Sequence, residues 1–380
     1  MRLPQLHKIL VAIAWAFAAG SNLSAATWDG GNGDWTSAKG NRWGLGVGQY
    51  PGDASHGDEI ADLSAEGQVV IKEGDEIRQQ PRGSLSVKVG TIKQTGGILI
   101  SDNIHVRARY DLLGGTVTGN GAFLVSAGGV WNVDGGELGT RVTSHDDLPK
   151  GEGAADAIFE FNGRGDGTLS VTESGVVDLH SIRMNKLVGG VARVEARGVT
   201  PPDRDAFKRS ALYWQLNKHP SGEKAVARFV LSPEGITPWR ILGELNLGED
   251  DNRGALEVDV SAFPARGASV DCTLFDYRTL IGAFGEVAIL SHGRPLQPGP
   301  KENLGVGQYF LEMHGGDGAD IVLFFRTPAG GGARLGKERE PFSARHFSPL
   351  AFARNILGIC PSSAPLAFTP SMRPQWPPDK

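Results

Sequence analysis

Three short polar clusters hold the side chains with which this 380-residue chain could do chemistry. His145-Asp146-Asp147 sets two carboxylates side by side. A β-helical glycosidase uses such a pair, one acid protonating the leaving oxygen and the other activating water or attacking. Adjacent residues of one strand point to opposite faces, so Asp146 and Asp147 share a site only within a turn, and a polar loop accounts for them equally well. Gly315-Gly316-Asp317-Gly318-Ala319-Asp320 fits one copy of a calcium-binding nonapeptide, with Asp317 and Asp320 as ligands for a hard cation. Calcium rolls need tandem copies, and a Gly-Asp-Gly hairpin turn before the strand 321–325 explains the stretch without a metal. Arg164-Gly165-Asp166 matches an integrin-binding tripeptide but lies within a glycine-rich turn. The reading is therefore of no catalytic residue, His145, Asp146, Asp147 and Asp166 being the nearest candidates. No metal site is expected beyond the weak pair Asp317 and Asp320, and no cofactor.

Binding has its own candidates. Trp28, Trp35 and Trp43 fall within sixteen residues among tight-turn residues, and they are the ligand-binding candidates of the chain. Exposed indoles could stack on sugar rings. The same rings could instead cover an open sheet end, whose unpaired strand edges would otherwise invite aggregation.

The elements that would carry these residues are organised around the stretch from Gly90 to Gly139. Gln94-Thr95-Gly96-Gly97-Ile98-Leu99, Leu112-Leu113-Gly114-Gly115-Thr116-Val117 and Val133-Asp134-Gly135-Gly136-Glu137-Leu138 are degenerate copies, 18 and 21 residues apart. Self-similarity at such a period indicates a solenoid, and the alternation around each glycine pair indicates short strands with one face buried. Glycine marks the period because a coil bends sharply where φ is positive or two backbones approach closely. Ile92, Leu99, Val117, Leu124, Val133 and Leu138 are expected inside, each contributing about 1.5–3 kcal/mol on burial. A single rung cannot fold alone, so stacked neighbours must supply the stability.

Around this core the chain divides further. Residues 1–26, with Arg2, Lys8, an apolar run from Ile9 and Ser24-Ala25-Ala26, read as a secretory signal cleaved near Ala26, too short in its apolar part to span a bilayer. A Trp- and Gly-rich cap with first strands occupies 27–84, the repeat core 85–200, an excursion 201–224, a C-terminal strand module 225–327 and a Pro/Gly/Arg-rich tail, expected to be disordered, 328–380. Within the excursion a short helix is expected over 203–216, with Phe207, Ala211 and Trp214 near one face. Strands are expected over 225–231, 255–260, 269–275, 286–290, 308–313 and 320–325. Leu45-Gly46-Val47-Gly48-Gln49-Tyr50 recurs as Leu304-Gly305-Val306-Gly307-Gln308-Tyr309, and its glycines miss the dinucleotide-binding spacing.

The tryptophan-rich opener, the Gln-Thr-Gly-Gly and Leu-Gly-Gly-Thr-Val-Thr-Gly units, the 162–172 turn and strand, and the stretches 231–238, 245–248 and 273–284 resemble, in their order, the autotransporter-associated β-strand repeat proteins of bacteria. The likeness covers roughly residues 27–326 and implies a secreted or surface-displayed, right-handed parallel β-helix, mostly without assigned chemistry. Relatives often end in an anchoring helix or an outer-membrane barrel, and neither is visible here.

The expected fold is thus all-β, a right-handed parallel β-helix with an N-terminal cap, acting as a structural or interaction protein toward an extracellular polysaccharide or protein. The alternatives are a carbohydrate-binding module and a polysaccharide lyase or glycoside hydrolase. A net charge of −5 offers no basic field for nucleic acid, and no membrane span is expected after signal cleavage. Cys272 and Cys360 leave a disulfide open, because sequence separation does not give the distance a bridge needs.

Overall fold

Short strands that are apolar at alternate positions bury their inward side chains only if neighbours pair along both edges. A computed structural model of the chain describes residues 25–37, 42–119, 121–139, 157–200, 209–263, 270–316 and 318–327. Among them the fold is all-β, 61% strand and without α-helix.

Parallel pairings sort the strands into three ladders. On the first face lie Gly31–Asp34, Gly67–Ile71, residues 91–94, 109–112 and 129–133, then Gly167–Val171, Val191–Arg197, Lys224–Val230, Ala255–Asp259 and Glu286–Ser291. The second face stacks Ala25–Thr27, Ile60–Leu63, residues 84–87 and 103–106, Ala122–Val125, and residues 158–161, 181–183, 213–215, 244–246 and 279–281. The third stacks residues 76–79, 98–101 and 116–118, Glu137–Gly139, and residues 176–178, 209–211, 239–241 and 275–277. Thr91 pairs with Arg109 and Arg109 with Val130, so the ladder advances by the same 18 and 21 residues as the glycine pairs. Thr91–Val106 turns two corners and serves all three faces, and Val176–Val188 turns one and serves the third and the second. The pairings of these two with Arg109–Thr118, Glu137–Gly139, Ile158–Arg164 and Ala122–Val125 consequently close into a ring of six parallel strands.

The corners depend on glycine where rungs touch. Gly115 has φ of +75°, and a Cβ there would sit 2.3 Å from the Gly97 carbonyl oxygen, so any other residue would be strained and would push two rungs apart. Between corners the expected inward residues Ile92, Leu99, Val117, Val133 and Leu138 are buried. Leu124 is the correction. It faces outward, half-buried, and its neighbours Phe123 and Val125 point inside, continuing the odd-numbered inward phase of Val117 and Gly119. Trp131 lies at the centre of this core, stacked on Tyr110 at 4.7 Å and flanked by Phe123 and Phe159 at 5.6 Å each.

The helix expected over 203–216 is also corrected. Arg209–Gln215 is a strand, and the three-residue step from Ala211 to Trp214 arises where the strand rounds a corner from the third face to the second. One rung on, an extra residue between Ile241 and Glu244 shifts the register against both neighbouring strands at the same corner. The later strands occur where expected: Lys224–Val230, Ala255–Asp259, Val270–Ile281, Glu286–Ser291, Gln308–Gly315 and Asp320–Arg326. Leu256, Val258 and Val260 are buried while Glu257 and Asp259 face outward. The last two strands form an antiparallel hairpin that pairs onto Val270–Ile281 and ends the third ladder.

Residues 1–24 of the expected signal, Phe207, and the tail 328–380 with Cys360 lie outside the described residues. Ala25–Thr27 is described, and the cleavage expected beside Ala26 falls within that strand. Among the described residues no helix is long and apolar enough to cross a membrane.

Candidate functional site

Because side chains alternate along each strand, every outward position on the first face joins a column running up the stack. Register places Lys93, Asp111, Asn132, Ser170, Glu195, Arg228 and Glu257 in one such column. Their neighbours engage them. Asp111 accepts from Arg109 at 2.8 Å and from the Asn132 amide at 2.7 Å. Asp134, one column over, accepts from Thr172 at 2.5 Å and Ser174 at 3.0 Å. Higher up, Arg193 donates to Glu257 at 2.7 Å and Arg228 lies 3.1 Å from Glu195, which also pairs with Arg197. Lys224 meets Glu286 at 2.7 Å across the skipped rung. Exposed pairs of this kind contribute about 0–1 kcal/mol each, but Glu195, with a side chain only 11% exposed, is screened less by solvent.

This face presents carboxylates, guanidinium groups and amides in a plane, a chemistry that hydrogen-bonds hydroxyl-rich or peptide ligands. Its suitability for hydrolysis is a matter of spacing. Glu195 and Glu257 are two strands apart, about 9.6 Å at the backbone. An inverting glycosidase leaves roughly 6.5–9.5 Å between its two carboxyl groups for the attacking water. Arg228 projects from the strand between them and contacts both, at 3.1 and 3.7 Å, filling the place of that water.

A second constellation lies where the second face turns into the first. His105 Nε2 is 3.0 Å from Ser126 Oγ, and Arg107 Nε approaches the same nitrogen at 3.4 Å. Burial, and then the Arg107 charge, hold the His105 pKa below its usual 6.5. Nε2 thus serves as acceptor, and the pair has the form of a base beside a nucleophile. Among the described residues it lacks the donors that would stabilise an oxyanion. The N–H groups of Ser126, Ala127, Gly128 and Gly129 all bond to backbone carbonyls, and Ser126 is 3% exposed. The pair therefore fastens a corner, one in which Ala127 adopts φ of +55°. A stability consequence follows. The folded state holds His105 with a depressed pKa, so the unfolded chain binds the extra proton near pH 6.5 and stability falls as pH drops through that region. Urea midpoints should decline from pH 7 toward the depressed folded pKa, and His105→Gln should remove that part of the decline. An unchanged pH profile in the variant would show that His105 is not its source.

The sequence-derived candidates fare differently. His145, Asp146, Asp147 and Asp317 lie outside the described residues. Asp166 sits in a tight turn, its carboxylate accepting from the Val191 N–H at 2.9 Å and its carbonyl from Gly128 at 2.7 Å. Asp320 begins the second strand of the terminal hairpin, whose turn is closed by Gly318 N–H to the Gly315 carbonyl at 2.8 Å. Among the described residues no group of three or more His, Cys, Asp or Glu side chains is placed to hold a metal. Burial, and secondarily Asp271, push the Cys272 thiol up to about 12, which keeps it protonated and poorly nucleophilic.

For the tryptophans the sugar-stacking expectation is corrected. Trp28, Trp35 and Trp43 are 1%, 0% and 2% exposed. They pack at 5.1 and 4.7 Å, with Arg42 5.7 Å over the Trp28 ring. Trp43 Nε1 donates to the Trp35 carbonyl and Trp35 Nε1 to that of Pro51, both at 3.0 Å. Rings so enclosed offer no free face to a ligand, and they fill the end of the stack. Sequence reasoning missed the first-face column and the His105–Ser126 pair. Reading outward residues at the 18- and 21-residue steps would have aligned Asp111 with Asn132.

The chain matches no protein-family model, no curated protein and no solved structure.

Proposed function

We propose that the chain is a right-handed parallel β-helix of the autotransporter-associated repeat type that works as a secreted or surface-associated scaffold, its first face meeting an extracellular polysaccharide or protein. The observation that carries this reading is the polar column of the first face, whose carboxylates are already engaged by arginines and an amide of the same and neighbouring rungs. Such groups recognise a ligand by exchanging hydrogen bonds, whereas general acid–base chemistry needs a carboxyl group in reach of the reacting atom. The parallel ladders and their glycine corners support the β-helix, and the resemblance of the opener and repeat units supports secretion.

The full chain, incubated with acidic and neutral polysaccharides, is expected to release no new reducing ends and no unsaturated products. Cosedimentation with one of those polysaccharides or with cell-surface protein should weaken in Asn132→Ala and Ser170→Ala. Product release that disappears in Glu195→Gln or Glu257→Gln would replace the scaffold reading with a hydrolase or lyase.

A further inference from the structure

The repeated hexapeptide folds the same way twice. In each copy Gly-Val-Gly-Gln forms a turn closed by the glutamine N–H on the first glycine's carbonyl, Gln49 to Gly46 at 3.2 Å and Gln308 to Gly305 at 3.1 Å. The second glycine has φ of +77° in Gly48 and +79° in Gly307, as a type II turn requires. The glutamine side chain folds back in both: Gln308 Oε1 accepts from the Gly305 N–H at 2.7 Å, and Gln49 Oε1 lies 2.3 Å from where a Gly46 Cβ would be. Leu45, Tyr50 and Tyr309 pack on the core and Leu304 is buried, whereas the apex valines are the most exposed large apolar residues among those described, Val47 at 78% and Val306 at 55%.

The first copy precedes the segment that meets the start of the third ladder, and the second begins the hairpin whose other strand, Asp320–Arg326, pairs onto the ladder's last strand. At the ladder's start, among the described residues, no third-face strand lies between Gly31–Asp34 and Ile60–Leu63, and the first copy belongs to the segment standing in that place. There the Gly52 carbonyl takes the Arg78 N–H at 3.0 Å and the Glu59 carbonyl takes the Gln79 side-chain amide at 3.4 Å. At the finish the second copy leads into the antiparallel hairpin. Gly307 N–H bonds to the Arg326 carbonyl at 2.8 Å, its own carbonyl takes the Gln297 N–H at 2.9 Å, and Gly299 N–H bonds to the Tyr309 carbonyl at 2.8 Å. An unprotected parallel edge is a template for pairing with another chain.

We propose that the two Leu-Gly-Val-Gly-Gln-Tyr turns are matched terminators of the third ladder that keep this chain from joining end to end with further copies of itself. Leucine and tyrosine anchor each turn, glycine and glutamine set its direction, and the chain that follows covers the edge directly after the first copy, through Gly52, and through the hairpin partner Asp320–Arg326 after the second. This rests on the ladder ends and is independent of what the first face binds.

Sedimentation velocity on the full chain over a range of concentrations tests it. Gly307→Val strains one turn without a side-chain clash, since nothing lies within 4 Å of a Cβ there, and opens one end. Two like ends pair isologously, so this variant should give dimers and nothing larger. Gly48→Val with Gly307→Val opens both ends and should give open-ended oligomers that grow with concentration. Val47→Ser with Val306→Ser should leave the wild-type distribution unchanged, and a shift in that variant would overturn the proposal by making the apices the associating element. If the valine-for-glycine variants lose their strand circular dichroism, Gln49→Ala with Gln308→Ala decides. A wild-type distribution in every folded glycine or glutamine variant would overturn the assignment.

Discussion

Replacing Trp131 by alanine is expected to cost about 3–5 kcal/mol, the range for removing a buried large aromatic side chain from a packed core. Trp131 is fully buried and touches three other rings, so the void would border Tyr110, Phe123 and Phe159 together. Those rings come from three different circuits, and each circuit is stable only through its neighbours. The loss should therefore spread to adjacent rungs, lowering the urea midpoint and exposing amide hydrogens from about residue 109 to 171 to faster exchange. Trp131→Phe should lose much less, because Trp131 Nε1 has no hydrogen-bond partner among the described residues and only ring area is given up. An alanine variant with a wild-type midpoint would mean that the aromatic cluster is not what joins these rungs.

Arg209→Met should be nearly as damaging, at about 3 kcal/mol, for a different reason. Arg209 is 1% exposed and donates to three carbonyls from successive circuits: Thr172 at 3.1 Å, Arg197, and Thr237 at 2.9 Å. Burial draws its pKa down to about 9, opposed by the charge of Glu173, so the guanidinium remains charged at neutral pH. Methionine fills similar space but leaves those acceptors unpaired, at about 1–3 kcal/mol each, partly offset by removal of a buried charge. Arg209→Lys should recover only a fraction, since one ammonium cannot reproduce the spread of the planar fork. A methionine variant as stable as wild type would show that the charge is a net liability at this corner.

How far the sequence led is clearest at particular residues. The glycine pairs at 96, 114 and 135 announced both the strand class and the circuit length, and the register steps from Thr91 to Arg109 to Val130 reproduce them. Alternation identified Ile92, Leu99, Val117, Val133 and Leu138 as inward. These features are local: a turn needs glycine at its own position, and a strand of period two carries its buried face in its own residues. The misreadings occurred where locality fails. Ala211 and Trp214 have helical spacing because the strand rounds a corner between them, and Leu124 lies in an unbroken apolar run, Ala122 to Val125, in which apolarity does not say which residues turn inward.

The candidate site was almost wholly a tertiary matter. Glu195, Arg228 and Glu257 stand in line only because loops of unequal length bring strands 29 and 33 residues apart into exact register, and nothing in the intervening sequence encodes that sum. The same holds for His105 beside Ser126, for Arg209 inside the stack, and for the three tryptophans, whose spacing suited an exposed platform as well as a cap. Side-chain type and turn chemistry are written residue by residue, so the sequence by itself determined the strands and, between residues 91 and 130, the 18- and 21-residue steps. Which outward groups meet, and which polar groups are shut away from water, follows from long-range pairing, and only the tertiary structure decided it.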